Sequence, residues 1–287
     1  MSDFCAFNRG AITKVTVEVS AEDSMGDIAE KLEDAGLIRY KWFFRLFAAL
    51  YNADEQVGMG TYELNTDMDY RALIMAMQSS SGNMNADTVR VTIPEGYTVS
   101  QTIALLAKNG VNTEEALLEA AKTADFDYEF IDNSSEEISR LEGYLFPDTY
   151  EFYVGHDPEG ALGKLLSNFE RKMNEDRLAQ VEASGYSLEE IITIASLIEK
   201  ETDGTDQSMI ASVIYNRLAS KELPYLQLDS TVYYAADLMG ESFDTNLDNP
   251  YNTYRYEGLP PGPIDNPGMN SIRAALAPNE PDYYYFA

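Results

Sequence analysis

The same short pattern occurs twice in this chain, 74 residues apart (Ser24 against Thr98). Each copy begins with alternating apolar and polar residues, which predict a half-buried strand. A hydroxyl residue that can cap a helix follows, then a helical segment and a glycine placed to end it. The copies are residues 15–19, 24–35 and Gly36, and residues 89–93, 98–109 and Gly110. The sequence therefore predicts two small strand–helix units, although chance recurrence of so common a unit also explains the similarity.

The other segments are predicted from their periodicity and capping residues. Helices are predicted at 41–51, 70–77, 113–124, 158–184 and 210–218, and a turn and strand at 58–64. The Ser- and Gly-rich stretch 79–85 is the best candidate linker. We therefore predict an α+β chain with an N-terminal module at 12–80 and a larger, mixed α/β domain at 86–287.

Composition excludes several classes of function. The chain has 287 residues with 49 acidic and 20 basic side chains, a net charge of −29. Binding of nucleic acid or of an anionic membrane surface needs clustered Lys and Arg, so neither is expected. The single cysteine, Cys5, allows no internal disulfide, and no metal or cofactor is predicted. The single histidine, His156, lies in a loop-like segment and is expected to be an ordinary exposed residue.

No apolar run is long enough to cross a bilayer. The longest, residues 42–51, is short and contains Arg45, so it is predicted to be a core helix. The first residues lack the basic and apolar parts of a signal peptide. The chain as given is expected to be soluble, either naturally or as a fragment whose membrane anchor is missing.

Glu199 is the leading candidate for a catalytic residue. It follows a predicted helix that is capped by Ser187, and it borders the apolar stripe of that helix. A carboxyl group among apolar neighbours keeps its proton more readily, which is what a general acid requires. The alternative is a surface glutamate paired with a nearby lysine. Glu201 is the rival acid, although it should point away from Glu199 on a helix.

Two later segments carry polar side chains that suit hydrogen bonding to a sugar. Gln227, Asp229 and Thr231 alternate, so on an extended segment they would face one side together. Asn252 and Tyr254 offer an amide and a phenol. The alternatives are an exposed strand edge for the first group, and a turn asparagine with a packed tyrosine for the second.

The segment 142–150 and Arg217 are further candidates. Glu142 and Tyr144 are candidate contacts around a cleft, and Asp148 and Tyr150 candidate loop anchors, with a purely structural role as the alternative. Arg217 can orient a carboxylate through a bidentate contact or form a structural ion pair.

Seven motifs in order make the chain resemble the YceG-like family of endolytic murein transglycosylases. They lie at 93–98 (IPEGYT), 142–150 (EGYLFPDTY), 195–202 (ASLIEKET), 214–218 (IYNRL), 226–232 (LQLDSTV), 251–254 (YNTY) and 258–264 (GLPPGPI). The resemblance covers about residues 15 to 287. Two positions depart from the family pattern, which usually has Ser in place of Leu228 and Pro in place of Ser230. The family also usually continues past the last residue of this chain.

The resemblance implies a bacterial cell-envelope protein with an N-terminal membrane helix, a LysM-like module and an extracytoplasmic catalytic part. It implies internal cleavage of nascent peptidoglycan glycan strands, leaving 1,6-anhydro-N-acetylmuramic acid ends. It places the catalytic glutamate at Glu199. Cell-wall synthases are the protein partners that it suggests.

One glutamate is enough for this chemistry, because the C6 hydroxyl of the sugar is an intramolecular nucleophile that is already held close to C1. Ordinary glycosidases need two carboxyl groups. Two other functions stay open from the sequence. One is a hydrolase that uses Glu199 with a second carboxylate such as Asp229, and the other is a non-catalytic glycan-binding scaffold of the division machinery.

Overall fold

A computed structural model describes residues 14–20, 23–50, 53, 57–58, 60–66, 68–78, 88–202, 204–279 and 282–285. The chain divides into two compact units, residues 1–87 and 88–287, each with its own apolar core. The division lies beside the predicted linker at 79–85, which is outside the described residues.

The first unit holds, in chain order, β1 (Lys14–Val19), α1 (Met25–Asp34), α2 (Lys41–Leu50), β2 (Gly60–Asn65) and α3 (Tyr70–Gln78). The second holds β3 (Thr88–Thr92), α4 (Val99–Lys108), α5 (Glu114–Thr123), β4 (Thr149–Tyr153), α6 (Pro158–Lys172), α7 (Glu175–Ser184), α8 (Leu188–Glu201), α9 (Gln207–Ala219), α10 (Asp229–Met239) and α11 (Met269–Leu276), with a 3₁₀ turn at Ile138–Leu141.

The predicted strands and helices of the repeated pattern are confirmed. Ser24 caps α1 and Thr98 caps α4, each through a reciprocal capping box with the residue three positions on. The glycines that follow, Gly36 and Gly110, have φ of +69° and +76°, the left-handed conformation that ends a helix at little cost for glycine. The likeness extends beyond the prediction. Each unit has the order strand–helix–helix–strand, and its two strands pair antiparallel.

The predicted single helix at 158–184 is wrong, because it is two helices. α6 ends at Lys172, and the Asn174 side chain accepts a hydrogen bond from the Arg177 N–H to begin α7. Asparagine is among the strongest N-cap residues, so starting a new helix at this position is favoured over continuing α6. The extended segment expected across 227–231 is also wrong from Asp229 onward, where α10 begins and buries Val232, Ala235 and Ala236.

α8 is the central helix of the second unit. Ser187 caps it as predicted, and Ile191, Ile194, Ala195 and Ile198 are fully buried. It packs against α7, α9, α10 and α11. The C-terminal end of α8 therefore belongs to a helix that four neighbouring helices hold in place. In the part of the chain that the structure describes, no helix combines the length and apolar character that a membrane span requires.

Candidate active site

Glu199 lies in the last turn of α8 and is partly exposed. Its Oε2 accepts two hydrogen bonds, from the Gly268 N–H at 2.9 Å and from the Ser271 hydroxyl at 2.7 Å. Both donors belong to the start of α11, where Gly268 is the N-cap residue. The packing of α8 against α11 thus fixes the orientation of this carboxyl group. Within the described residues, Oε1 makes no hydrogen bond to the protein.

A second carboxyl group, that of Glu95, lies beside Gly268. A Cβ added to Gly268 would overlap the Glu95 carboxyl, so glycine is required for this approach. Covalent geometry then puts the Glu95 and Glu199 carboxyl groups less than about 8 Å apart. The Glu95 pKa is raised, first by partial burial and then by the neighbouring Glu199.

Lys200 and Asp265 border the same place. The Lys200 ammonium donates to the Gly96 carbonyl at 2.6 Å and lies 3.8 Å from Asp265 Oδ2. A Cβ added to Gly96 would be 3.5 Å from Glu199 Cγ, 3.7 Å from Asp265 Oδ2 and 3.8 Å from Lys200 Nζ. Gly96 therefore marks the point where these three side chains meet.

Glu142 is a buried junction behind this cluster rather than an exposed sugar contact. It accepts hydrogen bonds from the Val99 N–H at 2.9 Å, the Tyr234 hydroxyl at 3.2 Å and the Asn266 amide at 3.3 Å. Burial raises the Glu142 pKa to about 8, and the hydrogen bonds from Val99 and Tyr234 and the charge of Lys200 only partly oppose it. The Asn266 amide also donates to the Tyr97 carbonyl, and its oxygen accepts from the Leu145 N–H. The network joins the motifs at 93–98 and 142–150 to Asn266, which lies two residues after the motif at 258–264.

The raised pKa of Glu142 predicts a stability that depends on pH. Between pH 4.5, its ordinary value, and about pH 8, the native carboxyl keeps a proton that the unfolded one has released. The contribution of Glu142 to the free energy of unfolding therefore falls as pH rises through this window. Glu142→Gln keeps an oxygen acceptor and an amide donor for the same partners but has no proton to lose. Urea unfolding at about pH 5, 6.5 and 8 measures the free energy of unfolding. We expect this free energy to change less with pH in Glu142→Gln than in the wild type.

The matched control for that measurement is Glu136→Gln, since Glu136 is exposed. Its free energy of unfolding should change with pH as that of the wild type does. If the Glu142→Gln and wild-type stabilities ran parallel across the three pH values, the buried-proton account would be wrong.

Thr231 and Asn252 are buried and satisfied by the protein itself. The Thr231 hydroxyl donates to the Leu228 carbonyl at 2.7 Å and lies 2.9 Å from the Thr253 hydroxyl. The Asn252 amide donates to the carbonyls of Thr245 and Leu247. Both side chains are fully buried and hold loops in place.

Gln227, Asp229 and Tyr254 have more accessible side chains. The Tyr254 hydroxyl donates to Asp229 Oδ1 at 2.7 Å, and this raises the Tyr254 pKa to about 12. Gln227 has φ of +53°, a strained conformation for a residue other than glycine. A cavity of about 270 Å³ is lined by Gln227, Tyr254, Arg217 and Glu201, among others. Within the described residues, none of these side chains forms a hydrogen bond with Glu199.

The remaining candidates have structural surroundings. Tyr144 is buried, with its ring 5.1 Å from those of both Phe130 and Phe169. The Tyr150 hydroxyl donates to the Phe146 carbonyl, so it anchors this loop. His156 is half-buried and packs edge-on against Phe152, in place of the exposed position that was expected.

Arg217 corrects a further expectation. Within the described residues it forms no ion pair with a carboxylate. It donates instead to the carbonyls of Tyr225, Leu226 and Tyr284, which ties the loop before α10 to the C-terminal segment.

Sequence reasoning missed five residues of this site: Glu95, Lys200, Asp265, Gly268 and Ser271. Glu95 and Lys200 lie inside the motifs at 93–98 and 195–202, and Asp265 directly follows the one at 258–264. Their presence in or beside those motifs was the available signal. Nothing local to Ser271 distinguishes it from an ordinary helix residue.

The chain is similar to known proteins over nearly its whole length. The model of the YceG-like family matches residues 17–287. A Bacillus subtilis protein named endolytic murein transglycosylase is 33% identical over 96% of this chain and 78% of its own length. A Streptococcus pneumoniae protein of the same name is 30% identical over 95% of this chain, which spans about half (54%) of that protein. The crystal structure of a yceG-like protein from Listeria monocytogenes matches with a TM-score of 0.58 and 32% identity, covering 96% of this chain and 93% of that one. Because the family model matches residues 17–287 and the Bacillus subtilis relative is 33% identical over most of both chains, the chain belongs to the YceG-like family.

Proposed function

We propose that this chain is an endolytic peptidoglycan transglycosylase. It cuts glycan strands internally, between N-acetylmuramic acid and N-acetylglucosamine, and leaves 1,6-anhydro ends. The observation that carries the proposal is the geometry of Glu199. Oε2 is fixed by Gly268 and Ser271, while Oε1 is left for a ligand at the partly exposed end of α8. The names of the relatives from Bacillus subtilis and Streptococcus pneumoniae support this assignment.

The proposed mechanism uses Glu199 twice. As general acid, it gives its proton to the glycosidic oxygen while the C1–O bond breaks. The C6 hydroxyl of the same N-acetylmuramic acid attacks C1, and Glu199 takes the hydroxyl proton as general base. The proton lost in the first step is thus recovered in the second, and no water is consumed. The two hydrogen bonds to Oε2 stabilise the carboxylate between these steps.

The accessible polar side chains are proposed as sugar contacts. Gln227, Asp229 and Tyr254 can offer an amide, a carboxylate and a phenol to hydroxyl and N-acetyl groups. We assign Thr231, Asn252, Glu142 and Tyr144 to the support of the loops around the site, because all four are buried.

The test is the chemistry of the product ends. The chain is incubated with uncrosslinked glycan strands in water enriched in ¹⁸O, and the products are analysed by mass spectrometry. Anhydro ends without ¹⁸O are expected, because the nucleophile is the sugar itself. Reducing ends that carry ¹⁸O would show a hydrolase. Binding without cleavage would favour the scaffold function.

The position of Glu95 favours hydrolysis as the second candidate. Inverting and retaining glycosidases use carboxyl pairs that are about 5 to 9.5 Å apart. The Glu95 carboxyl lies less than about 8 Å from that of Glu199, which is below the upper end of this range, whereas Asp229 is hydrogen-bonded to Tyr254. If water is the nucleophile, Glu95 is the base that we would assign.

We also propose that the first unit is a LysM-like glycan-binding module. Its strand–helix–helix–strand order and antiparallel strand pair support this. A cavity of about 950 Å³ lies beside α1 and α2, and Trp42, which lines it, is 65% exposed. An exposed indole provides a flat apolar face for a sugar ring. Anchoring by a membrane helix and contact with cell-wall synthases stay predictions from the family resemblance.

Replacing Trp42 tests this module. Trp42→Ala should weaken binding of the chain to purified peptidoglycan about tenfold, the loss expected for one stacking contact, without lowering the melting temperature. Sedimentation of the protein with insoluble peptidoglycan measures the binding. Met75→Ala is the control, since Met75 is 55% exposed in the same unit but does not line the cavity. Equal binding by both variants would rule out Trp42 as a sugar contact.

A further inference from the structure

Asp265 is a buried carboxyl group with an unusual environment. Its side chain is fully buried, and neither oxygen has a hydrogen-bond donor within the described residues. Burying a charged or polar group without a partner is costly, so such a residue needs an explanation. The closest charge of opposite sign is the Lys200 ammonium, 3.8 Å from Oδ2.

Lys200 follows Glu199 directly in the chain, and its ammonium lies in the same small region. Both Lys200 Nζ and Glu199 Cγ are within 3.8 Å of the point where a Gly96 Cβ would lie. Yet the ammonium forms no ion pair with Glu199 in the described part of the chain. It donates to the Gly96 carbonyl and faces Asp265.

We propose that Asp265 is a positioning residue that draws the Lys200 ammonium away from the Glu199 carboxyl group. The inference rests on the proposed function, in which Glu199 must carry a proton to begin each cycle. A lysine paired directly with Glu199 would favour its anion and so remove the general acid. Asp265 supplies a competing negative charge, 3.8 Å from the Lys200 ammonium.

The surroundings of Asp265 act on its charge in opposite directions. Burial raises its pKa well above the ordinary value, and the carboxyl groups of Glu199 and Glu142 raise it further. The Lys200 ammonium opposes these effects. Lys200 therefore favours the ionised form of Asp265. In our proposal, the ionised carboxylate in turn holds the Lys200 ammonium in place.

Asp265→Asn tests the inference, because asparagine has nearly the same shape and no charge. We expect Lys200 Nζ to lie within 4 Å of the Glu199 carboxyl in a crystal structure of this variant. We also expect the alkaline limb of kcat/KM against pH to move about one unit toward acid, a tenfold loss of activity on that side. The change should vanish in a Lys200→Gln background, where no ammonium can move.

Three results would overturn the inference. In the first, the Lys200 ammonium stays at the Gly96 carbonyl in the Asp265→Asn structure. In the second, the pH dependence of kcat/KM is unchanged by Asp265→Asn. In the third, Asp265→Asn shifts that pH dependence equally in the wild-type and Lys200→Gln backgrounds. If the wild type does not cleave glycan strands, the proposed function fails, but the position of Lys200 still decides this inference without turnover. If Asp265→Asn does not fold, Asp265→Ser removes the charge with a smaller side chain.

Discussion

Glu199→Gln is expected to lower the rate of glycan cleavage by about 10³-fold or more, because a glutamine amide can neither give a proton to the glycosidic oxygen nor take one from the C6 hydroxyl. The amide oxygen can still accept the hydrogen bonds that Oε2 receives from Gly268 and Ser271. The melting temperature should therefore change little. The rate is measured as the release of anhydro-ended fragments.

Glu201→Gln is the matched control for this experiment. It makes the same chemical change two residues away, in a side chain that lines the cavity with Arg217 and Tyr254. It should retain most of the activity. If Glu201→Gln abolished cleavage while Glu199→Gln did not, the acid would be Glu201. If neither had any effect, cleavage would not depend on this end of α8.

Gly143→Ala is expected to cause the largest loss of stability of the substitutions considered. Gly143 has φ of +90°, where an L side chain is strained. The added Cβ would be 2.6 Å from Ile192 Cγ2 and 2.7 Å from Pro263 Cγ, and both partners are buried. Neither can move without disturbing the core of α8 or the loop that leads to Asp265. We expect the free energy of unfolding to fall by about 3 kcal/mol or more.

Urea unfolding measures this loss, and Gly240→Ala is its control. Gly240 also has a positive φ, +66°, but a Cβ there would meet nothing within 4 Å. For Gly240→Ala, the free energy of unfolding should fall only by the cost of placing an L-residue in the left-handed conformation, about 1–2 kcal/mol. Equal losses for the two variants would mean that the steric overlap at Gly143 is relieved by small shifts. Because Gly143 adjoins Glu142, we also expect Gly143→Ala to reduce glycan cleavage.

Local signals predicted the helices and their starts well. Ser24, Thr98 and Ser187 each cap a helix where the sequence indicated, because a capping hydroxyl acts on N–H groups two or three residues away. The same kind of signal at Asn174 was overlooked, and it divided the predicted helix at 158–184. At 227–231, alternation over five residues was too short a pattern to distinguish a strand from the start of α10.

The sequence by itself determined the family, the repeated strand–helix pattern and the choice of Glu199, since motif order and capping are written in neighbouring residues. The tertiary structure alone showed what surrounds Glu199. Ser271 is 72 positions away from it, and Lys200 reaches the Gly96 carbonyl across 104 positions. It also separated buried supports such as Thr231 and Asn252 from accessible side chains such as Gln227. Contacts of this range follow from how α8, α11 and the loop at 93–98 pack, and no local periodicity encodes them.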